Sequence, residues 1–261
     1  MTVPVRRLAA PLALAAAAAF ACSEVAGPGV VAALDFHGIA FPAVVSGDTL
    51  RNAAGVATPL TAIAYNGSGD VIAGATIEYL TLDTGVTVSP DGYVIATRRD
   101  GPVRLIATIA GLQSPIRTID VTREPDSLIA PASTTLNYTY ALPDAAGNVS
   151  PNLQPILRSD DTTDGVSANV KGWLVRWRIV HAGDTLAPTD TTLVALWPPS
   201  GARHMLLDTT KADGASTRRL RIYANVLPTP TDSFIVVAEV RSRGALVPGS
   251  PVRFVVHVTP P

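Results

Sequence analysis

At 261 residues the chain is longer than one typical domain and holds one large unit or two modest ones. Charged residues make up 16%, hydrophobic residues 47%, and the formal net charge is -1, a balance that excludes a disordered polyelectrolyte and argues against nucleic acid as a partner. Its 22 prolines and 20 glycines are scattered between short Val/Ile/Thr-rich runs, the composition of an all-β chain with many turns.

The first 21 residues read as a signal peptide: Arg6 and Arg7 form the basic start, Leu8 to Ala18 the apolar stretch, and small residues precede Cys22. The stretch is too short for a transmembrane helix, which needs about 20 apolar residues. Cys22 is the sole cysteine, so an intramolecular disulfide is excluded. The run Ala19-Phe20-Ala21-Cys22 resembles the lipobox of bacterial lipoproteins, although Ala19 stands where that family prefers leucine and Phe20 where it prefers a small residue. The resemblance implies lipidation at Cys22 and a membrane attachment through the acyl chains. Cleavage by an ordinary secretory route, for example after Ala21, would instead leave a free thiol. The twin-arginine route lacks the motif around Arg6-Arg7. Ser23, not aspartate, follows the cysteine, which by the same resemblance implies the outer membrane or cell surface as location.

Residues 22–30 form a Gly/Pro tether, and from Val31 the pattern alternates with period two. Val103, Leu105 and Ala107 would face one side and Arg104 and Thr108 the other, with Ile106 as an exception. Strands are expected at 31–37, 56–65, 75–81, 92–97, 103–110 and 116–122, separated by turns such as Asn66-Gly67-Ser68-Gly69. Arg123-Glu124-Pro125 breaks the pattern and divides the chain into units at 31–123 and 126–259. The second unit is expected to contain strands at 134–141, 174–181, 192–196, 217–225, 234–241 and 252–258.

The units echo each other: Asp91-Gly92, Ile106-Ala107 and Ser114-Pro115-Ile116-Arg117 recur in order as Asp213-Gly214, Val237-Ala238 and Ser250-Pro251-Val252-Arg253. The first unit, through Ser46-Gly47-Asp48-Thr49, Ser89-Pro90-Asp91-Gly92 and Leu105-Ile106-Ala107-Thr108, resembles a bacterial immunoglobulin-like domain of the second group. The second resembles the first group, found in invasin- and intimin-type proteins, through Val175-Arg176-Trp177-Arg178-Ile179, Thr210-Lys211-Ala212-Asp213-Gly214-Ala215 and Pro251-Val252-Arg253-Phe254. The resemblance implies two tandem immunoglobulin-like β-sandwiches, with Tyr79 and Trp177 at equivalent core positions on the third strand. The second unit is enlarged around 152–169 and 185–205.

No catalytic set assembles from the residues, so an enzyme is not expected. The four histidines lie far apart, and no phosphate loop or nucleophile elbow occurs. Asp160, Asp161 and Asp164 form a loose acidic loop whose spacing fits no calcium motif; no metal and no cofactor are expected. Alternating arginines, Arg176 and Arg178, Arg219 and Arg221, then Arg241 and Arg243, read as outward strand faces. A basic strip for an acidic envelope polysaccharide is the rarer reading. The expectation is an envelope lipoprotein whose modules act as a structural, adhesive or display element, with 160–169 and 185–190 as contact loops. The alternative is an accessory protein that binds a carbohydrate or an envelope protein, with Trp197 or Trp173 exposed as a stacking platform.

Overall fold

A computed structural model describes residues 29–97, 100–161, 168–227 and 231–261. Among the described residues, the first half supplies β1 (Val31–Gly38), β2 (Ala43–Val45), β3 (Thr61–Asn66), β4 (Glu78–Thr81), β5 (Val86–Val88), β6 (Val94–Ala96), β7 (Gly101–Ile109), β8 (Leu112–Gln113) and β9 (Arg117–Thr122). Alternation decides which face each strand buries: Val103, Leu105 and Ala107 of β7 are fully enclosed while Arg104 is exposed. Ile106 points outward and is still buried, because Leu80 of β4 stands opposite it.

One layer runs β2-β9-β7-β4, with β2 parallel to β9. The other contains the pairs β1-β3 and β5-β6, joined where Leu60 N–H donates to the Gly92 carbonyl (2.9 Å). Between the layers the Phe36 and Tyr79 rings meet at 5.7 Å.

The second half supplies β10 (Ser127–Ile129), β11 (Thr135–Thr139), β12 (Ile156–Arg158), β13 (Leu174–His181), β14 (Asp184–Thr185), β15 (Val194–Trp197), β16 (Leu207–Thr209), β17 (Arg219–Ile222), β18 (Asp232–Glu239), β19 (Arg241–Ser242), β20 (Ala245–Leu246) and β21 (Val252–Thr259). One layer runs β11-β21-β18-β13-β14, again with the early strand parallel to the last, and β16 also pairs with β13. The opposite layer joins β10-β12 to β17 and β15 through the bridges Leu153–Arg218 and Ile156–Ala215. Two mainly antiparallel layers, with the last three long strands adjacent in one of them, are the immunoglobulin-like arrangement. The chain is all-β, with two such sandwiches in tandem.

The internal repeat has a physical basis. Tyr79 pairs with Ala107 and Trp177 with Ala238, so a large ring on the third strand meets a small residue on its neighbour in both copies. Gly92 and Gly214 both have positive φ (85° and 74°), and each carbonyl accepts the N–H of a buried leucine, Leu60 or Leu157, at 2.9 Å. Ser114 Oγ accepts from Ala107 N–H, and Ser250 Oγ from Val240 N–H, just past the end of the equivalent strand.

Several strands differ from expectation. β3 starts at Thr61, not at 56, because Arg51 to Ala57 close a turn held by the Asn52 carboxamide. The short strands β2, β5, β10, β12, β14, β16, β19 and β20 are too brief to show periodicity. Residues 198–206, at the end of the enlarged 185–205 region, form a strap between β15 and β16: Met205 N–H bonds Leu196 O (2.9 Å), and Trp177 N–H bonds Leu206 O (2.7 Å). The strap thus crosses from one layer to the other. Among the described residues no helix is long and apolar enough to cross a membrane.

Candidate functional site

Cys22, the signal segment and most of the tether lie outside the described residues, as do residues 162–167 of the acidic loop, Asp164 included. Of that loop, Asp160 N–H is held by the Asp126 carboxylate at 2.8 Å, and Arg123 donates to the Asp161 carbonyl. These contacts place the start of the loop against the segment that joins the two sandwiches. Among the described residues no group of three His, Cys, Asp or Glu side chains could hold a metal ion.

Trp173 is corrected from the expected exposed platform to a buried residue. It precedes β13, its indole N–H donates to Arg241 O (2.9 Å), and its ring packs on Phe41 of the first sandwich at 4.9 Å. An indole can stack on a sugar only with a free face, and here Phe41 occupies that space. Trp197, the last residue of β15, is half-buried. The Arg221 guanidinium lies 5.6 Å from its ring centre and 4.7 Å from that of Tyr223, a cation–π arrangement that engages the aromatic face internally.

Arg221 also departs from the outward-facing reading: it is 4% exposed. Asp144 grips it with two oxygens, at 3.0 and 2.7 Å. Burial alone would raise the Asp144 pKa, but hydrogen bonds from Arg221, Ala224 N–H and Asn148 hold its carboxyl below the usual carboxylate value. The loop before β12 therefore clamps the outer face of β17. Arg218 is buried too; it donates to the carbonyls of Met205, Thr217 and Leu207 and pairs with Asp208 at 3.0 Å, which fastens the strap. Sequence reading missed this role, because a basic residue in an alternating strand signals solvent unless its carboxylate partner is near in sequence.

Three of the five remaining arginines in the anticipated strip pair with acids. Arg178 and Arg241 share Glu239 at 2.9 and 2.8 Å, and Arg243 meets Glu124 at 2.7 Å. Burial raises and the two arginines lower the Glu239 pKa, with the net shift downward. Pairing with Glu239 and Glu124 weakens the field that these three arginines offer a polyanion.

The histidines sit in separate polar contacts. His181 Nε2 lies 2.8 Å from Asp232 and its ring stacks on Phe234 at 4.6 Å; His257 Nδ1 lies 2.7 Å from Ser233 Oγ. Asp232 and Ser233 are consecutive on β18 and project to opposite faces. Acid, imidazole and hydroxyl therefore do not form one relay, which needs the carboxylate on the imidazole that contacts the hydroxyl. His204 Nδ1 accepts Leu196 N–H at 2.9 Å, a bond that holds the strap.

No family model matches the chain, and no curated protein matches it. Solved structures with some likeness include the Yersinia pseudotuberculosis adhesin InvE (TM-score 0.34, 14% identity, covering 89% of this chain and 61% of that one). Domains 4 and 5 of the S-layer protein SbsC match with TM-score 0.31 and 12% identity, covering 88% of this chain and 98% of theirs. The Escherichia coli adhesin FdeC matches with TM-score 0.30 and 16% identity, covering 86% and 63%. The chain thus spans about three-fifths of the InvE structure. At such scores the likeness carries no functional argument.

Proposed function

We propose that the protein is a non-enzymatic, lipid-anchored module of a bacterial cell surface, attached through Cys22 and built from domains at 31–123 and 126–259. The observation that carries this reading is the position of the only cysteine, directly behind a signal-like segment and ahead of two sandwiches. The site geometry supports a structural or display role. The buried arginines Arg218 and Arg221 hold a strap and a loop in place, the indole of Trp173 is enclosed, and the face of Trp197 is engaged by Arg221. Contact with a partner, a polysaccharide or an envelope protein, then falls to exposed loops such as 185–190. No observation favours the stacking-platform alternative.

The test is expression of the full chain in a bacterial host with a labelled fatty acid, followed by detergent phase partitioning and protease treatment of intact cells. Label incorporation, detergent-phase partitioning and protease sensitivity are expected, and the first two should disappear in Cys22→Ser. Unlabelled, water-soluble wild-type protein would overturn the anchor. Labelled protein that resists protease in intact cells but yields to it after lysis would overturn the surface location.

A further inference from the structure

The two sandwiches could be beads on a string or one body. We infer that they are locked into a single rigid body by the β19-β20 hairpin of the second sandwich acting as a latch on the first. This holds whether or not Cys22 is acylated.

The joining segment leaves little slack. β9 ends at Thr122 and β10 begins at Ser127, so only residues 123–126 lie between them. Arg123 is buried and donates to Asp161 O, and Asp126 is held through its N–H by Arg158 O (2.8 Å) and through its carboxylate by Ser159 Oγ (3.1 Å). The segment is thereby pinned to the second sandwich, and a hinge there would have to break these bonds.

Backbone meets backbone at the latch. The hairpin turns on Arg243 and Gly244, both at positive φ (49° and 82°), and its tip enters the turn formed by residues 52–55. A Cβ added at Gly55 would lie 2.3 Å from the Arg243 carbonyl carbon, and one at Gly244 would lie 2.4 Å from Ala54 O. A third glycine repeats the pattern, since a Cβ at Gly172 would lie 2.7 Å from the Asp120 side chain. Such approaches require glycine on at least one side of the seam.

The β7-β8 hairpin is the corresponding element of the first sandwich, with Ala110-Gly111 at its tip, and a Cβ at Gly111 would meet nothing within 4 Å. The close contact therefore belongs to the seam and not to the hairpin type.

Around the latch, Phe41 and Trp173 are both buried against each other. Polar contacts rim them: Arg243 with Glu124 (2.7 Å) and Asp48 (3.5 Å), and Lys171 with Asp120 (2.8 Å). The cavity between Phe41, Asp48, Trp173 and Arg243 is about 20 Å³, room for a single water. An open polar cleft of about 530 Å³, lined by Ser46, Glu124, Ser159 and Arg243, flanks the seam without separating the rings. Bending would expose two aromatic rings and open a close-packed backbone contact, so the docked arrangement is favoured. Residues 171–173 and 241–244, at one end of the second sandwich, are thus taken up by docking, and the opposite end is held in a fixed direction.

The experiment is pulsed electron paramagnetic resonance on the full chain carrying Cys22→Ser, with spin labels at Thr87→Cys and Arg253→Cys, both exposed strand positions. One narrow distance peak is expected. Arg243→Glu, which sets a third acid beside Glu124 and Asp48, should cost the chain that single peak, and Arg243→Glu with Glu124→Arg should restore it. Gly55→Val should broaden the distribution by occlusion instead of charge. Circular dichroism of each variant separates undocking from unfolding. A broad distribution with the latch intact, or an unchanged narrow peak in folded Gly55→Val and Arg243→Glu proteins, would overturn the latch.

Discussion

His204 shows how one side chain can make the strap pH-sensitive. Its Nδ1 accepts the Leu196 N–H, so the neutral ring is the form that holds the strap, and burial pushes the imidazole below its ordinary value. In the unfolded chain the ring takes up a proton near a pH of about 6.5, while the native ring does so only at lower pH. The contribution is therefore complete above that pH and is lost as pH falls through the native value. Thermal melting between neutral and mildly acidic pH should show a fall in midpoint that is reduced in His204→Gln. Equal pH dependence in both proteins would remove His204 from the account. The acids respond in the same direction lower down: the hydrogen bonds from Arg51 hold Asp48 below the usual carboxylate value, so its share of stability fades only in stronger acid.

At the scale of elements, turns distinguish the two copies. Three two-residue hairpins close on Ala110-Gly111, Ala182-Gly183 and Arg243-Gly244, each with φ near 50° at the first residue followed by a glycine at 82–94°. These are the values of a type I′ turn, whose usual signature is Asn-Gly. Ala-Gly and Arg-Gly do not announce it, so the turns could not reveal β8, β14, β19 and β20, which are themselves too short to show periodicity. The repeated Asp-Gly turns were legible, and the structure separates their costs. A Cβ at Gly92 would approach Leu60 O to 3.2 Å, whereas one at Gly214 would come within 2.5 Å of Leu157 O. Both glycines have positive φ, so either alanine variant should lose about 1 kcal/mol from backbone strain alone. Gly214→Ala should lose more, because Leu157 anchors its strand in the core and cannot retreat. Urea denaturation that ranks Gly92→Ala as the more damaging change would contradict this geometry.

For the whole molecule, the seam joins what would otherwise be two separate cores. Phe41→Ala should cost about 3 kcal/mol, the usual range for deleting a buried ring. Part of that loss should vanish in a Trp173→Ala background, since the rings are each other's partner, leaving a coupling of about 1 kcal/mol in a double-mutant cycle followed by chemical denaturation. Strictly additive losses would mean that the sandwiches do not share this contact in solution.

Sequence alone determined the all-β class, the long strands β7, β13, β18 and β21, the two-copy organisation of the sheets and the burial of Trp177, because period-two burial and Asp-Gly turns are local signals. It also singled out Cys22, whose meaning lies in its neighbours along the chain. Only the tertiary structure decided the places of Trp173, Trp197, Arg218 and Arg221. Trp173 is covered by Phe41 from the other sandwich, Arg221 by the loop around Asp144, and Arg218 by the strap it fastens. Each of these partners is distant along the chain or lies on another strand. Whether an indole or a guanidinium faces water is set by what folds over it, and that is a property of packing that no local pattern contains.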